Sequence, residues 1–284
     1  ARTGGHVHVK WYFGGIAGDE PVMGQRIAKG QLDGAASGGP LCESLSPSMR
    51  VMRVVGLLTT GREARHVGDI LWPTFEKEMH AHGVVGLGIA VVGPHILFSR
   101  RPIRSLAELR KSRLWVWDRD DVLRAELASF GAEMMPLPVG EAAHAFDDGR
   151  IDGFIAPASV ALAFQWSALA RYVTDLRLDY LTGCVIIADR ALDELPAGTT
   201  DIIRSAGGKL SVRFADISAQ QDDMLLNGLF EKQGVTRVPV DPRFSTEFFE
   251  LARATREHLD PKLVPLPLLS RVLAILADFR AASH

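Results

Sequence analysis

Residues 99–157 alternate short runs of strand composition with runs of helical spacing, and this pattern constrains the fold more than any other part of the chain. Three apolar or aromatic runs predict strands, at residues 113–117, 133–137 and 151–155. The segments between them predict helices, the first capped by Asp118 and ended by Gly131. Strands connected in this way are parallel, and parallel strands joined by helices bind ligands at their carboxyl ends. The sequence therefore predicts an α/β protein with a site at that edge.

Length and composition indicate two folded units. The 284 residues exceed the size of most single cores, and 47% of them are hydrophobic. A net charge of −2 gives no electrostatic reason to expect nucleic acid or an anionic membrane surface as a partner. The longest apolar run, residues 84–93, is shorter than the roughly 20 residues that span a bilayer. No signal peptide is visible.

Several short segments follow one another in the order known from one protein family. They lie at residues 12–20, 29–33, 45–47, 105–109, 130–132, 135–138, 149–153, 171–174 and 192–196. The series resembles the solute-binding proteins of tripartite ATP-independent periplasmic (TRAP) transporters and covers most of the chain. The resemblance implies a periplasmic-binding-protein-like fold, with two α/β lobes, a cleft between them and hinge crossover strands.

The resemblance also implies a division of the chain. The first lobe is expected to comprise residues 1–93 and 188–240, the second lobe residues 94–187, and the C-terminal helices residues 241–284. Family members normally open with a strand and a long helix that have no counterpart here. Either the sequence is truncated or the first lobe closes differently, and we favour truncation.

Two departures from the family pattern concern the ligand. The arginine that usually pairs with a substrate carboxylate is replaced by Trp115, and an asparagine is replaced by Ala188. Trp115 cannot grip a carboxylate as a guanidinium does, because it offers an apolar face and one N–H donor. The substitutions therefore predict a cleft for an apolar or aromatic solute. The alternative is that the tryptophans are core residues beneath a helix.

The remaining candidate ligand contacts come from segments that are expected to face the cleft. They are Gly39, Leu41, His95, Trp117, Phe154, Pro157 and Trp166. His95 has the alternative role of a hydrogen-bonded hinge residue. If the solute keeps a carboxylate, another cation must hold it, and the candidates are Arg100, Arg101 and Arg119.

The expected function is that of a periplasmic binding protein that delivers a small molecule to the small and large membrane subunits of a TRAP permease. One alternative is an ordinary organic-acid binder with a relocated cation. Another is a lipid-binding or scaffold protein that kept the fold and lost transport, with a cleft that is permanently open or filled by side chains. The final apolar helix, residues 268–281, packs on the body or mediates a homodimer.

Catalysis and cofactors find little support in the sequence. The histidine pairs His6/His8 and His80/His82 lack a third ligand, so we expect no metal, no cofactor and no enzyme. Asp118, Asp120 and Asp121 are interpreted as cap and solvent-face residues. We expect the two cysteines, Cys42 and Cys184, to be free thiols in different lobes, because a crosslink there would block hinge motion.

Three further local expectations concern secondary structure. Alternating residues at 6–13 predict a strand, and so does the apolar run at residues 51–58. The helical pattern over residues 63–81 is expected to break near Pro73.

Overall fold

The computed structural model describes residues 3–5, 7–13 and 15–282. Its α-helices are α1 (Glu20–Ala28), α2 (Pro40–Leu45), α3 (Gly61–Ala81), α4 (Leu106–Arg110), α5 (Asp121–Ser129), α6 (Val139–Asp147), α7 (Ala158–Ala163), α8 (Asp189–Asp193), α9 (Thr199–Met224), α10 (Phe230–Lys232), α11 (Pro242–Arg256) and α12 (Leu266–Ala281). Its strands are β1 (Gly34–Ser37), β2 (Val84–Pro94), β3 (Ile96–Ser99), β4 (Arg113–Trp117), β5 (Glu133–Leu137), β6 (Gly153–Ala156), β7 (Tyr172–Thr174), β8 (Tyr180–Ala188) and β9 (Thr236–Val238). Pro47–Arg53 and Trp166–Ala168 form 3₁₀ turns, and Leu225–Leu229 forms a π-helical segment that joins α9 to α10.

The strands form two sheets. The first has the order β1-β8-β2 and is antiparallel; the second has the order β5-β4-β6-β3-β7-β9. Strand β4 pairs in parallel with β5 and with β6. This confirms the repeated unit predicted from residues 99–157, and the α/β fold class with it.

Each sheet has its own hydrophobic core. Helix α3 packs on the first sheet and α12 packs on α3, with Phe75, Leu71 and Val272 fully buried. The second sheet is covered on both faces, because alternate residues of a strand point to opposite sides. Trp115 lies in the core on one face and Leu114 in the core on the other.

The chain passes between the two sheets at three places. The first is His95, which lies between β2 and β3. The second is the segment before β8, and the third is the π-helical segment after α9. The pairings differ from the predicted lobe boundaries at two points. Strand β8, assigned to the second lobe up to residue 187, pairs within the first sheet. Strand β9, assigned to the first lobe, pairs with β7 of the second.

Three local predictions were wrong. Residues 51–58 form no strand: the 3₁₀ turn Pro47–Arg53 is followed by further turns. Burial on all sides explains the apolar run, because Val51 lies in the first core and Val55 in a core of the second sheet. Helix α3 continues through Pro73, and residues 7–13 form no strand. His6, the other residue of that predicted strand, lies outside the described residues.

The two cysteines form a disulfide, contrary to the prediction of free thiols. Cys42 in α2 is bonded to Cys184 in β8. The prediction failed because it placed Cys184 in the second lobe, whereas β8 lies between β1 and β2 in the first sheet. Both cysteines belong to the first core, so the crosslink does not connect the two lobes.

Helix α12 packs on the body of the protein through Leu269, Val272 and Leu276, all in the first core. This is one of the two roles predicted for the final helix. None of the helices in the described part is long and apolar enough to cross a membrane.

Candidate functional site between the two lobes

A buried arginine lies where the two lobes meet. Arg53, at the end of the 3₁₀ turn, is 2% exposed. Its guanidinium contacts Asp120 Oδ2 at 2.5 Å and Glu43 Oε1 at 3.4 Å, and its Nε lies 4.0 Å from Asp179 Oδ1. Glu43 belongs to α2 in the first lobe, and Asp120 precedes α5 in the second. We call Arg53, Glu43, Asp120, Asp179 and His95 the Arg53 cluster.

Asp120 serves two elements at once. Its Oδ1 accepts a hydrogen bond from the backbone N–H of Leu123 at 3.1 Å, so it caps α5 at the N-terminus. Its Oδ2 contacts Arg53. The sequence predicted Asp118 as the cap; the chain makes one further turn before α5 begins, and Asp120 takes that role. Asp120 is also buried rather than on a solvent face.

Asp179 connects the cluster to a hinge. Its Oδ1 lies 2.5 Å from His95 Nδ1, and the backbone N–H of His95 donates to the carbonyl of Asp179 at 2.9 Å. His95 and Asp179 lie at two of the three places where the chain changes sheets. The contacts of His95 therefore match its predicted alternative role, that of a hydrogen-bonded residue where the chain crosses between the lobes.

The loop before α2 lies against the same guanidinium. Glu20 accepts hydrogen bonds from the backbone N–H groups of Gly38 and Leu41, at 3.1 and 2.7 Å, and so fixes this loop. A Cβ added at Gly39 would lie 3.6 Å from Arg53 Nη1. The close approach of this backbone to Arg53 makes the loop one wall of the cluster.

The cluster perturbs the ionisation of its members. Burial disfavours the charged form of Arg53, but Asp120, Asp179 and Glu43 outweigh it and raise the pKa of the guanidinium. Burial raises the pKa of Glu43 to about 7, with Asp120 and Glu20 adding to the effect and Arg53 opposing it. Burial also raises the pKa of the neighbouring Glu20, although its hydrogen bonds with the backbone of Leu41 and Gly38 lower that pKa.

Two polar atoms of the cluster have no hydrogen-bond partner among the described residues. They are Arg53 Nε and Asp179 Oδ2, and both are buried. Such atoms are uncommon in folded proteins, because each one costs free energy when it is removed from water. Unused donors and acceptors between two lobes are suited to a polar ligand.

The aromatic residues predicted to line the cleft pack against one another instead. Trp166 lies edge-on to Trp115 and to Phe154, with ring centroids 4.9 and 5.4 Å apart, and Phe154 stacks on Phe98 at 4.9 Å. Trp115 Nε1 donates to the carbonyl of Leu137 at 3.1 Å. These four rings, which we call the aromatic cluster, belong to one core of the second lobe.

The predicted contact residues thus fall into separate groups. His95 belongs to the Arg53 cluster and Gly39 borders it. Trp117 is half-buried and packs against the core that holds the aromatic cluster. Pro157 is buried at the start of α7. Leu41 and Ala188 lie in the first core.

Sequence reasoning missed the charged members of the Arg53 cluster. A signal was present, because Arg53 interrupts an apolar run, Glu43 follows Cys42 in a short buried segment, and Asp179 stands between Leu178 and Tyr180. Charged residues are almost never fully buried unless they are paired. A charge inside a run that is predicted to be buried therefore indicates a partner elsewhere in the chain.

Two cavities lie at the surface and contain neither Arg53 nor Trp115. One, of about 590 Å³, is bordered by Arg100, Arg171 and Gln233; the other, of about 260 Å³, lies between α3, β2 and α9. Among the described residues, the structure contains no group of three or more acidic, histidine or cysteine side chains placed to hold a metal ion.

The fold is shared with several solved TRAP periplasmic solute-binding proteins. The protein from Xanthobacter autotrophicus Py2, with bound β-D-galacturonate, superposes with a TM-score of 0.84 at 22% identity over 96% of this chain and 90% of that one. The protein from Desulfovibrio salexigens, with bound orotic acid, has a TM-score of 0.83 at 18% identity over 93% of this chain and 86% of that one. These matches confirm the expected two-lobe periplasmic-binding-protein fold.

The sequence itself matches the same class of proteins. YiiZ of Salmonella typhimurium (strain LT2) is 23% identical over 254 residues, which are 88% of this chain and 74% of YiiZ. A sequence profile of the bacterial extracellular solute-binding proteins, family 7 (DctP), matches residues 1–259. The chain therefore belongs to this family of TRAP solute-binding proteins, as its ordered motifs predicted.

Proposed function

We propose that this chain is the periplasmic solute-binding component of a TRAP transporter, and that its solute is a small organic acid whose carboxylate binds Arg53. The lobes would close around the solute and present it to the membrane permease. The observation that carries the proposal is the buried guanidinium of Arg53, which has carboxylate partners from both lobes. An arginine can hold a carboxylate through two parallel, charge-assisted hydrogen bonds.

Two arguments favour an acid over the apolar solute predicted from sequence. The proteins from X. autotrophicus and D. salexigens hold galacturonate and orotic acid, both carboxylic acids. The indole of Trp115 and the rings of Phe154 and Trp166 make their contacts with one another, which leaves little of their surface for a ligand.

Arg53 is also better placed than the cations named from sequence. Arg100 lies over the ring of Phe146, 4.5 Å from its centroid, and donates to the carbonyl of the same residue. Arg119 is exposed and lies 3.9 Å from Asp118. Arg101 is exposed. Arg53 alone among these four arginines lies between the lobes and beside the Gly39 loop.

The disulfide supports the proposed location. Disulfides persist in oxidising compartments such as the bacterial periplasm and are rare in the cytosol. The bond between Cys42 and Cys184 adjoins the candidate site, because Glu43 follows Cys42 directly. An oxidising compartment would therefore keep one carboxylate of the Arg53 cluster in place.

The test is calorimetric titration of wild type and Arg53→Lys with D-galacturonate and orotate, with neutral D-galactose as the uncharged comparison. Lysine keeps the charge that the buried carboxylates require but loses the planar fork of donors. We expect at least one acid to bind, D-galactose not to bind, and the variant to lose affinity by roughly tenfold or more. Arg119→Lys, a surface substitution, is the matched control and should bind as wild type does.

Equal binding by wild type and Arg53→Lys would remove Arg53 from the proposed site. Binding of D-galactose as tight as that of the acids would contradict the carboxylate as the recognised group. Thermal unfolding with and without the acid gives a second measure, since a ligand at 100 times its Kd stabilises the folded state by about 2.7 kcal/mol.

One observation favours a second candidate function. The contact between Arg53 and Asp120 fills part of the junction with the protein's own side chains, as expected of a scaffold protein that kept the fold and lost transport. In that case the lobes would not move. Calorimetric titration with D-galacturonate and orotate distinguishes the two: a transport protein binds at least one of these acids, whereas a filled scaffold binds neither.

A further inference from the structure

The carboxylate of Asp120, which belongs to the second lobe, forms an ion pair with the guanidinium of Arg53. Its Oδ2 makes the shortest of the three carboxylate contacts to Arg53. Glu43 lies on the same lobe as Arg53 and Asp179 lies at a hinge. Asp120 is therefore the member of the cluster that is carried by the second lobe.

The guanidinium of Arg53 already has three carboxylate partners without a solute. Asp120 and Asp179 are both within ion-pair distance of the guanidinium, and Glu43 is the third acid in contact with it. A fourth carboxylate added to this set would meet repulsion from the other three. A solute carboxylate that takes the place of Asp120 beside Arg53 would leave the guanidinium with three carboxylate partners, because one carboxylate is exchanged for another.

We infer that Asp120 acts as an internal substitute for the solute carboxylate. In the ligand-free protein it holds Arg53 and ties the second lobe to the first, and an acidic solute binds by displacing it. This inference rests on the proposed function, because it takes Arg53 to be the carboxylate-binding residue. It adds that Asp120 and the solute carboxylate compete for Arg53, and that this competition sets the affinity for the solute. Asp120 therefore selects for solutes whose carboxylate binds Arg53 more tightly than Asp120 does.

Geometry makes the displacement feasible without unfolding α5. The two oxygens of Asp120 have different partners: one caps the helix through Leu123, the other meets Arg53. Release of Arg53 leaves the cap intact, so Asp120 remains hydrogen-bonded when the solute takes its place. Asparagine is as good an N-cap as aspartate, so Asp120→Asn removes the charge while it keeps the helix start.

The experiment compares wild type, Asp120→Asn and Asp121→Asn. Asp121 is the adjacent residue, and its ion pair with Arg124 is exposed at the surface, so its variant controls for loss of one negative charge in this turn. Calorimetric titration uses D-galacturonate and orotate as probes, and small-angle scattering measures the ligand-free lobe separation. Circular dichroism and a thermal melt establish that each variant is folded.

We expect Asp120→Asn to bind the acid more tightly than wild type and Asp121→Asn do. If Asp120 occupies Arg53 in about nine-tenths of ligand-free molecules, removal of the competitor tightens binding roughly tenfold. The ligand-free variant should also have a larger radius of gyration than wild type, which returns to the closed value when acid is added.

The possible results separate this inference from the function on which it rests. If the acids bind wild type and Arg53→Lys weakens them, but folded Asp120→Asn shows neither tighter binding nor an open form, the internal competition is wrong and the proposed function stands. If Asp120→Asn opens but no variant binds either acid, Asp120 ties the lobes together and the proposed solute class is wrong. Weaker binding by Asp120→Asn, with Asp121→Asn unchanged, would overturn the competition by making Asp120 a solute contact.

Discussion

The Arg53 cluster and the aromatic cluster are both buried, yet they are built on opposite principles. The aromatic cluster lies inside one lobe, and Trp115, Phe154 and Trp166 contact one another closely. The Arg53 cluster joins two lobes and leaves Arg53 Nε and Asp179 Oδ2 without hydrogen bonds among the described residues. Apolar packing is non-directional and stabilises one lobe, whereas paired charges are sensitive to which partner is present. The difference is the reason that we propose the charged residues, and not the aromatic ones, as the site of ligand recognition.

Four substitutions test this contrast, and the largest effect is expected next to the Arg53 cluster. Replacement of Cys42 and Cys184 by serine opens a loop whose ends are 142 residues apart in sequence. Loop-closure entropy predicts a loss of about 5 kcal/mol in the free energy of unfolding. Urea unfolding of wild type and of the double variant measures it. Dithiothreitol should destabilise wild type alone, and an equal midpoint for the two proteins would contradict a stabilising disulfide.

The next effect should be confined to the aromatic cluster. Phe154→Ala creates a cavity between Phe98 and Trp166 and is expected to reduce the free energy of unfolding by about 3–5 kcal/mol. Affinity for the acid should stay within about twofold of wild type in calorimetric titration below the melting temperature. The control is Phe164→Ala: Phe164 stacks on Trp166 but is 52% exposed, so its loss should cost far less. A stable Phe154→Ala protein that no longer binds acid would place Phe154 in the binding site.

Glu43 gives the Arg53 cluster a pH-dependent contribution to the stability of the folded protein. Because the pKa of Glu43 is about 7 in the folded state and 4.5 ordinarily, the folded protein retains a proton that the unfolded chain releases. Stability from this group is present below pH 4.5 and is lost as the pH rises through 7. Glu43→Gln should flatten this slope and raise the free energy of unfolding at pH 8 by about 1–2 kcal/mol.

Urea unfolding at pH 5, 6, 7 and 8 measures this change. Glu141→Gln, at an exposed position of α6, is the control and should follow the wild-type pH dependence. A Glu43→Gln slope as steep as that of wild type would show that Glu43 titrates normally in the folded protein.

The smallest effect concerns the residue on which the sequence-based site depended. Trp115→Phe removes the hydrogen bond from Nε1 to the carbonyl of Leu137 and is expected to cost about 1 kcal/mol. Its affinity for the acid should equal that of wild type. A clear change in affinity, in either direction, would restore the interpretation that Trp115 contacts the solute.

Local pattern predicted the second lobe well and the junction poorly. Strands β4, β5 and β6 follow from short apolar runs between helices, and α4 begins after its N-cap Ser105, whose Oγ accepts a hydrogen bond from the backbone N–H of Glu108. These features depend on neighbours in sequence. The parallel pairing of β4 with β5 and with β6 then follows from the helical connections.

The candidate site depends on contacts between distant residues, and single-sequence reasoning has no access to them. Arg53 and Asp120 are 67 residues apart in sequence, and His95 and Asp179 are 84 apart. Burial between the lobes also explains two wrong predictions. The apolar residues 51–58 were predicted to form a strand, and Asp120 was predicted to lie at the surface. The cysteines were misjudged for the same reason, because β8 returns to the first sheet.

We propose that this protein binds a carboxylic acid through Arg53. Native mass spectrometry of the purified wild type and of Arg53→Lys, followed by denaturation and identification of the released molecule, tests it most directly. We predict that wild type releases a small carboxylic acid and that the variant is largely free of it. Release of a neutral or wholly apolar molecule from wild type, or equal occupancy of the two proteins, would contradict the claim.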